Sequence, residues 1–517
     1  MQRRTFCRLA LLAGLSAALP GLSGCGTQEQ HSFTWLVDSL ADNLDPQIAR
    51  DSADLIACRH LFSSLTRLGP DGQPLPDAAA DWTVSPDGLE YRFTLRPGQY
   101  YHTRKGESTD YPVTARDFVF AFRRLADPNT RSPYTALLDG VENAAAVVSG
   151  QLPPAALGVS APDEATFRIR LEAPDDELPY RLSHVAAAPC CQAFFESTAG
   201  TYGLNSGAII GNGPFYLYNW TSSGLFLRRS VEGSRITALR LIENSDTTGK
   251  SPATLLRDGR CSAILSGSAA PGQNTAVYQT GVWCLLLRCR GSLANRNLRA
   301  ALTQVCAGLP LPGWDAEAAA GLVPPSIHCG SEGFRSRFPH ALPPEEDPDQ
   351  MFRQGLSEIS AAELQGLTIT VPRDETAQEF AGQLNAAWQK RFSIYCSIRT
   401  LSDRELAQTV AAGDFDAALV PLESTSDTPL SLLDQFRDGG LCGWHSGIFA
   451  QLMDSAAAQR GEALADTAAQ AERLLLEGRA VLPLCWPRRY LLMEDRLQGL
   501  QFDPFGPQLD LTFASQK

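Results

Sequence analysis

The chain has 517 residues, 44% of them hydrophobic and 20% charged, and a formal net charge of −13. That length exceeds what one hydrophobic core organises and points to two or three domains. The acidic balance excludes recruitment to nucleic acid or to an anionic lipid surface by net charge.

In chain order, Arg3, Arg4 and Arg8 precede an apolar run over residues 9–19. A cationic head and a run of ~7–15 apolar residues make an export signal, and the run is too short to span a bilayer. Leu22-Ser23-Gly24-Cys25 resembles a bacterial lipobox, which implies cleavage before Cys25 and a diacylglycerol on its thiol. The alternative is an ordinary signal with an incidental cysteine. Arg3-Arg4-Thr5-Phe6 is also similar to a twin-arginine signal. No later stretch approaches ~18 uninterrupted apolar residues, so the mature chain is expected to be soluble and held by acyl chains. Residues 1–24 carry three arginines and no acids, so their removal takes the charge from −13 to −16.

Lysine occurs only at 105, 250, 390 and 517, so 40 of the 44 basic residues are arginine, which reads as codon bias. Of 13 cysteines, Cys7 leaves with the signal and Cys25 takes the lipid, which leaves 11. An odd number with no CxxC pair is unlike a secreted disulfide framework, and buried free thiols are expected.

From residue 33 to about 254 short strands alternate with turns and a few helices, a mixed α+β pattern. Tyr91 to Leu95 and Phe167 to Leu171 alternate apolar and polar residues as half-buried strands do. Thr114-Ala115-Arg116-Asp117 is a capping box opening a helix with Phe118, Phe122 and Leu125 on one face, stopped at Asp127-Pro128. Residues 308–350, rich in Gly, Pro and charge, read as a long ordered loop or flexible insertion. Farther on, Leu367, Ile369 and Val371 mark a strand and 375–391 a helix. Ile394, Cys396 and Ile398 mark a second strand, Ser402 to Glu405 caps a helix ending at Gly413, and 415–422 is a third strand. This βαβαβ run predicts parallel strands with right-handed crossovers in an open α/β sheet. Ligands in such sheets sit beyond the carboxyl ends of the strands, which singles out the polar loop Glu423, Ser424, Thr425, Ser426 and Asp427.

Catalytic constellations are missing from the sequence. There is no G-x-S-x-G elbow, no H-E-x-x-H and no paired-cysteine zinc pattern. His328-Cys329 reads as a loop pair, and 207–213 as a tight turn before a strand. No cofactor and no metal are expected.

Several blocks then occur in an order that resembles family 5 of the extracellular solute-binding proteins, the oligopeptide and dipeptide receptors of ABC importers. They are Leu44-Asp45-Pro46, the run from Leu61-Phe62 through Trp82 and Asp87-Gly88 to Arg96, Pro112-Val113-Thr114-Ala115-Arg116-Asp117-Phe118-Val119, Leu157-Gly158-Val159 and Gly211-Asn212-Gly213-Pro214. Asn297 to Leu302, Gly413-Asp414-Phe415-Asp416 and the strand region after Arg479 continue the series. The resemblance implies an α/β, two-lobed periplasmic-binding-protein-like clamp of type II, cluster C-like, with an extra α+β subdomain in the first lobe. Its expected parts are a signal at 1–24, a lipidated tether at 25–30, and a first lobe at 31–262 with the subdomain at about 62–200. A second lobe at 263–478 and a return at 479–517 complete them.

The implied function is capture of peptides in the interlobe cleft and delivery to permease subunits by a non-enzymatic, monomeric receptor. It would be held by lipid at the outer face of the plasma membrane or in the periplasm, with no nucleic-acid partner. A sugar, a metal chelate or a signalling peptide as ligand, and an exported hydrolase, are the alternatives. Where many peptide binders place a tryptophan and an amine-pairing aspartate, this chain has Leu422 and Thr425, so Glu423 or Asp427 would supply the negative charge. Tyr100, Tyr101, Tyr278, Trp283 and Trp444 are candidate pocket aromatics, with core packing as the alternative for each.

Overall fold

The strand Gly281–Leu287 is buried at all seven positions, as expected of a strand covered on both faces. Val282, Cys284 and Leu286 enter one core and Trp283, Leu285 and Leu287 the other. The computed structural model describes residues 31–517 apart from 71, 230–234, 245–248, 312, 330–331, 360–363, 365 and 506–507. The expected signal, the tether and Cys25 lie outside the described residues.

The strand Gly281–Leu287 is central in a six-stranded sheet ordered Ala316–Ala318, Val481–Pro487, Gly281–Leu287, Ala417–Glu423, Thr368–Pro372, Ser397–Leu401. The last three are parallel, and they are the βαβαβ run read from the sequence. The rest of the sheet is antiparallel, so the sheet is mixed. The helix Glu375–Phe392 covers one face with Phe380, Leu384 and Trp388, and the Trp388 indole N–H donates to the Leu302 carbonyl at 3.1 Å. Helices Gly447–Ala457 and Gly461–Glu477 cover the other face. Ser402 and Glu405 cap the helix Asp403–Ala411 reciprocally.

The first half builds a separate four-stranded sheet in which Ser32–Val37 runs parallel to Ala238–Glu243, followed by Gly224–Arg228 and Tyr216–Thr221. A second antiparallel sheet holds Ala79–Val84, Glu90–Leu95, Thr166–Arg170 and Val159–Ser160. The helix Ala115–Ala126 packs Phe118 and Phe122 onto Phe167, with ring centroids 5.7 and 5.1 Å apart. Asp117 accepts from the Thr114 N–H at 2.8 Å, so the capping residues do what their spacing implied.

The two first-half sheets are joined by a buried cation. Asp45, in the early Leu-Asp-Pro turn, accepts from the Gln47 N–H at 3.1 Å and from the Arg124 guanidinium at 2.5 Å. Arg124 also donates to Gln47 Oε1 at 2.6 Å and lies 4.2 Å from the Phe195 ring centre. Asp45 of this turn is thus the counterion of a helix in the neighbouring sheet's layer.

The chain changes sheets twice. Ala263–Ser266, Arg489–Met493 and Asn274–Tyr278 form a three-stranded sheet, and Ala263 and Leu491 share a core with Phe33 and Trp35. Their continuations, Gly281–Leu287 and Val481–Pro487, belong to the six-stranded sheet. The changeovers therefore fall at 279–280 and 488, downstream of the expected divisions after 262 and 478.

Among the described residues no helix is long and apolar enough to cross a membrane. The eleven described cysteines are all free, eight of them buried and three intermediate.

Two outcomes follow. Arg124→Ala leaves Asp45 buried without its counterion and should lower unfolding free energy by about 3–5 kcal/mol in urea titrations. His60 is fully buried, and burial pushes its imidazole down to about 4. Below about 6.5 the unfolded chain binds a proton that the native site refuses until about 4, so stability falls as pH drops through that window. A His60→Gln variant should show a shallower loss of urea midpoint between pH 6.5 and 4 than the parent.

Candidate functional site

The strand Ala417–Glu423 ends level with the first changeover, because Glu423 pairs with Gly281 and the Ser424 N–H donates to the Thr280 carbonyl at 3.0 Å. The Glu423 carboxylate folds back over Gly281, where an added Cβ would lie 2.6 Å from the carboxyl carbon. In that position it accepts from the Arg489 guanidinium at 2.6 Å and from Thr280 Oγ1 at 3.5 Å. Only a glycine at 281 leaves room for this ion pair across the changeover.

The loop beyond is tied internally. Ser424 Oγ donates to the Ser426 carbonyl at 2.8 Å, and the Thr425 N–H donates to Ser431 Oγ at 2.9 Å. Asp427 accepts the His328 backbone N–H at 2.6 Å and approaches its ring Nδ1 at 3.2 Å. His328 sits in the hairpin of His328–Cys329 with Glu332–Gly333. Its pKa is raised, chiefly by the hydrogen bond to Asp427.

Across from this loop stand groups that pack with the first-half sheets. Burial pushes the Tyr180 phenol up to about 12, and the charges of Asp427, Asp503 and Glu177 add to it. Glu177 lies 3.7 Å from Arg460. Tyr278 meets Phe502 with ring centres 5.6 Å apart, while Phe505, three residues on, packs against the core of the six-stranded sheet.

On the other side of the changeover the Tyr490 hydroxyl donates to Asp315 at 2.5 Å and Arg488 donates to the same carboxylate at 3.2 Å. Gln279 Nε2 reaches the Trp486 carbonyl at 3.3 Å. Both crossings are therefore flanked by charged and polar side chains that join residues of the two sheets.

The structure brings Glu423, Ser424, Thr425 and Asp427 together in one loop and sets Tyr278 at the end of its strand, paired with Arg489 and against Phe502. The other candidate aromatics take the packing role. Tyr101 has no exposure and belongs to the core around Phe93 and Phe118. Trp283 is 9% exposed and stacks on Trp314 with centres 4.2 Å apart, because its strand is covered on both faces. Trp444 packs edge-on against Phe449 at 5.4 Å and fills the space beside Gly478. Tyr100 is 50% exposed on the hairpin strand Tyr100–His102, remote in sequence and sheet from the loop.

Residues that sequence reasoning missed, Thr280, Arg489, Tyr180 and His328, act through pairings between segments more than 60 positions apart. The one local signal was the break at Gln279-Thr280 between two strand patterns. Among the described residues, a trio with metal-ligand spacing occurs only at Asp42, Asp51 and Asp54, where Asp54 already accepts from the Asp42 and Asn43 N–H groups at 2.9 and 3.2 Å.

Comparison with known proteins agrees with this geometry. Residues 73–230 match the middle region of the bacterial extracellular solute-binding proteins, family 5. The dipeptide-binding protein of Lactococcus lactis is 23% identical over 99% of this chain and 100% of its own length. The periplasmic murein peptide-binding protein MppA of Escherichia coli is 25% identical over 96% of this chain and 95% of its own. Residues 73–230 thus carry the middle region of family 5, and the similarity to these binding proteins runs along the whole chain. The substrate-binding domain of an oligopeptide ABC transporter from Bacillus anthracis superposes with a TM-score of 0.66 at 21% identity, covering 95% of this chain and 99% of that one, so the family 5 two-lobed fold is shared. Family 5 is a family of binding proteins, not of enzymes.

The His328–Asp427 contact is directly measurable. In two-dimensional NMR the His328 ring should titrate above about 6.5, and Asp427→Asn should return it to the ordinary histidine range. The stabilisation from that contact is fully present below pH ~6.5 and fades as pH rises through the raised native value.

Proposed function

We propose that this chain is the lipid-anchored extracellular receptor of an ABC importer, capturing peptides in the cleft between the loop 423–427 and the facing Tyr180 and Tyr278, and passing them to the permease. The end-to-end correspondence with relatives named for binding dipeptides and murein peptides carries this reading. Two changeovers between otherwise separate sheets suit closure about a hinge. The strand pairing supports lobe boundaries at 279–280 and 488, and the acylated Cys25 would keep the receptor beside its transporter.

Recognition of a peptide main chain needs backbone and hydroxyl groups more than charge, and Thr280, Ser424 and Thr425 supply both. A peptide with a free amino terminus brings an ammonium that must find a carboxylate once water is excluded. Glu423 is engaged by Arg489 and Asp427 by His328. That observation favours a second reading, the same clamp closing on a solute without a free amine.

Native mass spectrometry of the chain from Gly26, followed by denaturation, identifies what co-purifies. Short peptides of mixed sequence are the expected result, and a peptide at 100 times its Kd should stabilise the fold by about 2.7 kcal/mol. An empty cleft with no thermal shift across a peptide library removes the peptide claim and leaves the second reading.

A further inference from the structure

Two strands cross between the six-stranded and the three-stranded sheet side by side. Val481–Pro487 leads through Arg488 into Arg489–Met493, and Asn274–Tyr278 leads through Gln279 and Thr280 into Gly281–Leu287. They are neighbours on both sides of the crossing, through the pair Tyr278 with Arg489 in one sheet and Trp283 with Cys485 in the other. Their outer neighbours in the six-stranded sheet, Ala316–Ala318 and Ala417–Glu423, are not part of the three-stranded sheet. Both end level with the crossing, where Ala316 pairs with Pro487 and Glu423 with Gly281.

Each flank sends one carboxylate across. Asp315 accepts from Arg488 at 3.2 Å and from the Tyr490 hydroxyl at 2.5 Å, and on the other flank Glu423 accepts from Arg489 at 2.6 Å. Successive side chains of a strand leave opposite faces, and the partners follow that alternation: Arg488 and Tyr490 reach Asp315, while Arg489 between them reaches Glu423. The two ties therefore lie on opposite flanks and opposite faces of the crossing. The first crossing is held in the same manner. The Gln279 N–H donates to Ser326 Oγ at 2.9 Å and its carbonyl accepts the Ser326 N–H at 3.2 Å, while the Thr280 carbonyl accepts from Ser424 at 3.0 Å. Asp315 and Ser326 both belong to the Gly- and Pro-rich stretch 308–350, so that stretch supplies one flank and the end of the strand Ala417–Glu423 the other.

We propose that Asp315 and Glu423 are opposed braces that set the resting angle between the two sheets, and with it how wide the cleft stands before a ligand enters. The inference deepens the clamp reading above and rests on it. Two strands that bend together keep the backbone bonds between them, so the crossing does not fix an angle by itself; side chains that span it do. A swing of the three-stranded sheet toward one flank relaxes the tie there and stretches the other, and a charge-assisted hydrogen bond loses strength as its geometry degrades. The two pulls balance at one angle, and loss of either lets the sheets swing toward the survivor. The Asp315 and Glu423 side chains are 41% and 36% exposed, which keeps each tie weak enough for a bound solute to override.

The test reads the angle without a ligand. Ketone-bearing residues replace Ser222, in the turn between Tyr216–Thr221 and Gly224–Arg228, and Arg404, in the helix Asp403–Ala411, both exposed positions. Donor and acceptor dyes joined to them by oxime chemistry leave the thiols untouched, and single-molecule energy transfer gives the ratio of wider to narrower separations in the chain from Gly26, stripped of co-purified solute. Asp315→Ala and Glu423→Ala are each expected to change that ratio by about two- to fivefold, in opposite directions, and the double variant to return it close to the parent's. Tyr490→Phe, which keeps the ring, should move the ratio as Asp315→Ala does, and Arg489→Gln as Glu423→Ala does. Shifts of the same sign, an unmoved ratio in either alanine variant, or a partner variant of the wrong sign overturns the proposal. An absence of co-purifying peptides counts against the peptide claim and leaves this measurement untouched, whereas a variable separation that ignores both carboxylates counts against the braces and leaves the clamp.

Discussion

Four strands that run on from one sheet into the next are the constraint on which the molecule depends. A strand cannot leave its ladder without stranding backbone donors and acceptors, so the chain has to change partners within one or two residues at each crossing. It does so at 279–280 and at 488, and each crossing residue then serves both sheets. Thr280 offers its carbonyl to Ser424 and its hydroxyl to Glu423, and Arg488 reaches back to Asp315 with both its main chain and its guanidinium. The loop 423–427 lies at the crossing because its strand pairs with the strand that has just crossed.

Local signals in the sequence were read well where local chemistry decides the structure. The alternation at Tyr91 to Leu95, the capping residues Thr114 and Ser402, and the helical spacing from Phe380 to Trp388 all describe contacts within a few residues of one another. The parallel direction of 368–372, 397–401 and 417–423 followed from the helix between each successive pair of strands. What periodicity could not supply was the antiparallel half of the same sheet, because Val481–Pro487 joins it from more than 190 residues beyond Gly281–Leu287. The blocks around Leu44-Asp45-Pro46 were legible only as a resemblance; their physical reason, the counterion of Arg124, depends on a partner 79 positions away.

The loop 423–427 was legible as a polar turn at the carboxyl end of its strand, and the partners of its acids were not. Glu423 and Asp427 looked like free acids in the sequence, and each is held by a base that no spacing rule connects to it. The aromatics divided by strand context. Trp283 lies on a strand covered on both faces and Tyr101 in a sealed core, whereas Tyr278 is the last residue before a crossing. An aromatic next to a change of sheet was a better candidate for the cleft than an aromatic within a buried strand.

The burial of eight of the eleven free thiols bears on how the chain reaches this state. Thiolate is the reactive form, and the folded environment keeps Cys190 and Cys261 protonated by pushing them up to about 12. The unfolded chain has no such protection, and eleven exposed thiols offer many wrong pairings to any disulfide donor outside the membrane. On the proposed export route, folding has to outrun oxidation, by completion before export, by speed after it, or by the absence of oxidant. The native structure acts as the protecting group, and the hazard belongs to the interval before it forms.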